Sequence, residues 1–153
     1  MRAFLLIFIL ICTSACQVKE EAEKDEVLNE HRSAPNAFTV IPPTPQSYFT
    51  GDTLTISLKF PTTVYVDTSF GTSYLLLNFG SYLVIANYVS GDGTDTLSFE
   101  YAVGGTDLDV DGVDIHSMTL NGAAITFLSG SNRKNCNTVL PATHLSGVLI
   151  NAI

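Results

Sequence analysis

Residues 53–60 read Thr-Leu-Thr-Ile-Ser-Leu-Lys-Phe, polar and apolar in unbroken alternation. Successive side chains of a β-strand point to opposite faces, so the stretch sets Leu54, Ile56, Leu58 and Phe60 on one side. The same period returns at Leu97, Phe99, Tyr101 and Val103, after the turn signal Gly91-Asp92-Gly93. Val64-Tyr65-Val66, Met118-Thr119-Leu120, residues 124–127 and Val148-Leu149-Ile150 read as shorter strands. Asn121-Gly122 predicts a tight two-residue hairpin, because both positions tolerate positive φ. Residues 74–77 and 82–88 are apolar runs, the second broken only by Asn87, bounded by Gly71, Gly80 and Gly91, the pattern of strands close to a core. Roughly seven to nine short strands, with turn signals about every ten residues, predict an all-β antiparallel β-sandwich. Its span is residues 46–153, and no helical apolar period interrupts it after Ser47.

The N-terminus is of another kind. Arg2 precedes a wholly apolar run from Ala3 to Cys12, and the small residues Thr13, Ser14 and Ala15 follow. That is the layout of a secretory signal, and the run is far below the ~20 apolar residues a membrane-spanning helix needs. Thr13-Ser14-Ala15-Cys16 resembles the lipobox of bacterial lipoproteins. The resemblance implies cleavage of residues 1–15, a diacylglyceryl group on Cys16, and a lipid anchor in the membrane. Gln17 at the second mature position implies export to the outer membrane or cell surface, by the sorting habit of some Gram-negative lipoproteins. The alternative is ordinary cleavage after Ala15 that leaves a free thiol.

Residues 16–45 read as a tether. Residues 17–30 are charged and poor in aromatic and β-branched side chains, so they bury too little to offset their ordering entropy. Pro35, Pro42, Pro43 and Pro45 favour an extended spacer. The other reading makes Phe38-Thr39-Val40-Ile41 a first edge strand, placed before a proline pair. Cysteine use fits export without disulfides: Cys12 leaves with the signal, Cys16 takes lipid, and Cys136 is left alone. Cys136, near Arg133 and Lys134, is either a thiol of lowered pKa or a small buried hydrophobe.

The chain carries 15 acidic and 7 basic residues, and loss of Arg2 with the signal leaves a formal charge of −9. A balance so acidic repels phosphate backbones and anionic lipid, which excludes nucleic acid as a partner and favours cations. Asp107-Leu108-Asp109-Val110-Asp111-Gly112 sets three carboxylates at alternate positions before a glycine, like the first half of a calcium-binding EF-hand loop. Met118 stands where that loop would carry its bidentate Glu. Asp114 is the candidate fourth ligand, and Asp92 or Asp95 could join only from the same end of the sandwich. The competing reading makes these aspartates turn formers. His31, His116 and His144 fall in no nucleophile or metal triad spacing, so no enzyme is expected.

Tyr48-x-x-Gly51-Asp52-Thr53-Leu54-x-Ile56-x-Leu58-x-Phe60, Tyr88-x-Ser90-Gly91-x-Gly93-Thr94-x-x-Leu97-x-Phe99-x-Tyr101 and Leu120-Asn121-Gly122-x-x-Ile125 together resemble the immunoglobulin-like repeat modules of large bacterial surface and adhesin-type proteins. The likeness covers Tyr48 to about Ile150. It implies an Ig-like sandwich with structural or adhesive duty, here in a single copy. Three functions follow as expectations: a surface module for adhesion or for a protein or glycan partner, a structural spacer without a ligand, or a lipoprotein binding calcium or a small ligand. Tyr48, Phe49, Tyr65, Phe70 and Tyr74 are the aromatics that would anchor a partner or stack on sugar.

Overall fold

The computed structural model describes residues 38–152; the signal segment, Cys16, the charged part of the tether and Ile153 lie outside them. Twelve strands follow in chain order: β1 (Thr39–Ile41), β2 (Gln46–Tyr48), β3 (Thr53–Asp67), β4 (Tyr74–Asn78), β5 (Leu83–Ser90), β6 (Thr94–Ala102), β7 (Leu108–Asp109), β8 (Val113–Thr119), β9 (Ala124–Ser129), β10 (Asn132–Asn135), β11 (Thr143–Leu145) and β12 (Val148–Asn151). Among the described residues there is no helix. The larger sheet has the order β10-β9-β3-β6-β5-β4-β8-β11, with β1 also on β3, and β2-β12-β7 form a second sheet. Every pairing is antiparallel except β12 with β2, which is parallel. The all-β sandwich expected from the alternation is therefore the architecture, with one parallel pair that the turn signals did not announce.

The two segments read as separate strands at residues 53–60 and 64–66 are one strand of 15 residues. Pro61 explains both readings. It cannot donate to a ladder, and the β3–β6 register breaks between Lys59 and Val64. Beyond the break, Val64 to Asp67 pair with β9. β3 thus keeps β6 on one edge, where Val64 still pairs with Thr94, and exchanges β1 for β9 on the other edge across the irregularity at its proline. The sheet also begins before residue 46: Thr39, Val40 and Ile41 pair with Lys59, Leu58 and Ser57. Phe38 is buried, its ring 5.3 Å from that of Phe60.

The core is what the alternation foretold. Leu54, Ile56, Leu58 and Phe60 of β3 are buried opposite Leu97 and Phe99 of β6, with Leu75, Leu77, Ile115, Ile125 and Phe127 beside them. From the second sheet Tyr48, Val148 and Ile150 join the same cluster. The Asn121-Gly122 hairpin forms as expected: both residues have positive φ, 49° and 86°, and the Ala123 N–H donates to the Leu120 carbonyl at 2.9 Å. Because the strands run antiparallel, the turns sort to opposite ends. One end carries the β2–β3, β4–β5, β6–β7 and β7–β8 connections; the other carries β3–β4, β5–β6 and β8–β9.

Candidate interaction surface

The candidate calcium ligands are spread by the fold. Residues 108 and 109 form strand β7 on β12, so the chain is extended where an ion-binding loop would wrap. Asp107 points inward and is already bonded: Oδ1 accepts from Tyr82 Oη at 3.0 Å, and Oδ2 from Tyr101 Oη at 2.7 Å and the Gly104 N–H at 2.6 Å. Asp109 is buried too, with Oδ1 accepting from the Gly112 N–H at 2.8 Å. Asp111 is exposed, and Asp114 is 2.7 Å from His144 Nδ1. Asp92 sits in the β5–β6 turn at the opposite end, where Oδ1 accepts from the Val66 N–H. Asp95 pairs with Lys59 at 3.5 Å. Among the described residues no group of three or more His, Cys, Asp or Glu is placed to hold a metal ion. Asx and turn chemistry accounts for Asp107 and Asp109.

Asp109 still carries a cost. Its Oδ2 is buried without a partner, and burial pushes its carboxyl above the usual range, helped by the neighbouring Asp111 carboxyl. An amide would keep the acceptor that Gly112 uses and offer Asp111 a donor. Asp109→Asn is therefore expected to raise stability by about 1 kcal/mol at pH 7, since an unsatisfied buried acceptor costs about 1–3 kcal/mol. Thermal unfolding of the two proteins checks this, and a lower melting temperature for the variant refutes it. The sign also fixes a pH trend. A carboxyl with raised folded pKa destabilises as pH climbs from the ordinary carboxylate value through the raised one, so the gain from the amide shrinks in acid.

Other single residues fall into place. Cys136 is buried, and desolvation pushes its thiol up to about 11, so it is the small buried hydrophobe and not a thiol of lowered pKa. Of the aromatics, Tyr48 is core, its hydroxyl donating to the Thr44 carbonyl; Tyr65 lies under the Arg133 guanidinium, 4.5 Å from the ring centre; Tyr74 is half-buried. Phe70, 88% exposed, and Phe49, 54% exposed, stand at opposite ends of the domain. They cannot share one ligand platform. His31 lies outside the described residues.

The surface that sequence reasoning missed is the outer face of β4 and β5. The runs at residues 74–77 and 82–88 were expected close to the core, and only one face of each strand is there. Leu75, Leu77 and Ala86 point in, while Leu83, Ile85 and Val89 are 49%, 45% and 51% exposed. The register joins Leu83 and Ile85 to their neighbours across strands, while Val89 lies beyond Asn87 where the β5–β6 register shifts. Leu76 opposes Ile85 on one side and Ser117 on the other, Asn78 opposes Leu83 and Asp114, and Asp114 opposes His144. The aliphatic strip is therefore continuous with a cleft of about 270 Å³ where Asn78, Asp114, His116, Thr143 and His144 meet. The outer side of the same sheet over β3 and β6 is the contrast. There Thr55, Ser57 and Ser98 face out, with Ser57 Oγ 3.3 Å from Ser98 Oγ. That half is mainly polar, with Ile41 of β1 as an exposed aliphatic side chain opposite Ser57, and the half over β4 and β5 is aliphatic. A sequence signal existed: in an antiparallel sheet with one face solvated, a strand should alternate, and Leu83-Val84-Ile85-Ala86 does not.

No family model, no curated protein and no solved structure matches this chain.

Proposed function

We propose that this chain is a non-enzymatic cell-envelope lipoprotein, anchored by lipid on Cys16 at the outer membrane or cell surface, which presents one Ig-like module for adhesive contact with a protein. The aliphatic outer face of β4 and β5 is the observation that carries the reading. Solvated sheet faces are polar, and a contiguous apolar patch rimmed by polar groups marks an interaction surface. The patch supports a protein partner over a glycan, because sugars stack on aromatic rings and its most exposed side chains, Leu83, Ile85 and Val89, are aliphatic. It also tells against a ligand-free spacer, for which the Ser/Thr surface of β3 and β6 would serve everywhere. Support for the Ig-like assignment comes from the crossed strand order, in which the β4–β5 hairpin lies between β6 and β8.

A photo-crosslinking amino acid placed at position 85, and for comparison at position 55 on the polar half of the sheet, tests the contact in intact cells. Adducts are expected at 85 and not at 55, and Cys16→Ser should lose both membrane association and adducts. Equal labelling at the two positions, or none at either, overturns the reading.

A further inference from the structure

We infer that the face of β4 and β5 recognises a cationic amphipathic polypeptide segment, whose apolar side chains lie on Leu76, Leu83, Ile85 and Val89 while its Lys or Arg side chains reach the carboxylates at the rim. The inference rests on the interaction reading above and names the partner's chemistry. Charge carries it. Residues 38–152 hold only three Lys and Arg side chains, Lys59, Arg133 and Lys134, and none is on β4, β5 or β8. Lys59 is on β3 paired with Asp95, while Arg133 and Lys134 are on β10, the sheet edge farthest from β11. The rim carries the opposite sign: Glu100 flanks the strip across Asn87, and Asp114 flanks it across Asn78.

The cleft is the matching socket. Asp114 lines it with Asn78, Thr143, His116 and His144; His144 Nδ1 lies 2.7 Å from Asp114 Oδ1, and a long cationic side chain can bury its methylenes in the cleft while its head meets the other carboxylate oxygen. Two nearer occupants fail on charge. A second copy would set Glu100 and Asp114 against an equally acidic rim. Residues 17–37, with six acidic and three basic side chains, repel the same carboxylates.

The test is fluorescence anisotropy with short labelled peptides of alternating Leu and Lys, Leu and Glu, or Ser and Lys, titrated with the full lipidated chain in zwitterionic detergent. The Leu/Lys peptide is expected to bind best. Its affinity should fall about tenfold for Ile85→Ser and for Glu100→Gln combined with Asp114→Asn, as for central interface positions, with Leu128→Ser, exposed on β9 beyond β3 and β6, without effect. Comparison of variants in one detergent cancels partition of the peptide into micelles. Equal binding of the Leu/Glu or Ser/Lys peptide, or equal binding by Ile85→Ser, overturns the inference. So does a dimer in sedimentation that Ile85→Ser abolishes, which assigns the face to a second copy. If cellular adducts at position 85 persist while the Lys preference fails, the cationic class falls alone; if both fail, the interaction reading falls with it.

Discussion

Replacing Phe99 by alanine lowers the free energy of unfolding by about 3–5 kcal/mol, a large part of the 5–15 kcal/mol that a domain of this size holds. The ring has no exposed surface, lies across from Ile56 in the β3–β6 ladder, and packs edge-on against Tyr88 with centroids 5.8 Å apart. Truncation removes the transfer free energy of the ring and leaves a cavity between strands whose backbones are fixed by pairing on both sides. Leu58→Ala, opposite Leu97 on the same inner face, should cost about 2–5 kcal/mol for the same reason. The matched control is Ile85→Ala on the outer face, expected within about 0.5 kcal/mol of the wild type. Urea unfolding followed by circular dichroism measures all three, with slopes required to agree so that midpoints report stability. A loss under about 1 kcal/mol for Phe99→Ala would mean that this face is not the core.

What the sequence made legible is what one strand can say about itself. The period of two at residues 53–60 and 97–103 fixed which side chains turn inward, and Asn121-Gly122 fixed a hairpin, because both are local consequences of backbone geometry. Partners are not local. That β3 exchanges β1 for β9 across Pro61, that β12 lies parallel to β2, and that Leu108 and Asp109 form a strand all depend on residues far along the chain. The Asp run shows the same limit: its spacing suits either an ion or an extended strand, and Ile150 and Asn151, some forty residues on, decide for the strand. The apolar run of β5 was visible, but which of its faces lacked a cover was not. Burial on two faces requires a neighbouring layer, and no feature inside the run reports one.

Asp107→Ala should cost about 3–5 kcal/mol, as when one partner of a buried charged network is removed, although no hydrophobic side chain is lost. The carboxylate is the shared acceptor of three donors: Tyr82 Oη from the end of the β4–β5 connection, Tyr101 Oη from β6, and the Gly104 N–H from its own loop. Phe79 packs edge-on against both tyrosine rings, at 5.9 and 5.5 Å, so neither hydroxyl can swing out to water without breaking that contact. Tyr101→Phe removes one donor and leaves the carboxylate with two, for a loss of about 1 kcal/mol. Asp107→Asn should fall between, because an amide presents a donor to one of three donors. In a double-mutant cycle, Tyr101→Phe should cost much less once Asp107 is alanine, since its partner is already gone. Additive losses would show that the hydroxyl and the carboxylate act independently. The effect reaches the outer face through Tyr82, which precedes Leu83 directly and whose hydroxyl also accepts from the Leu108 N–H. Loosening that anchor frees the first residues of β5, so Asp107→Ala should weaken binding at Ile85 even at temperatures where the domain remains folded.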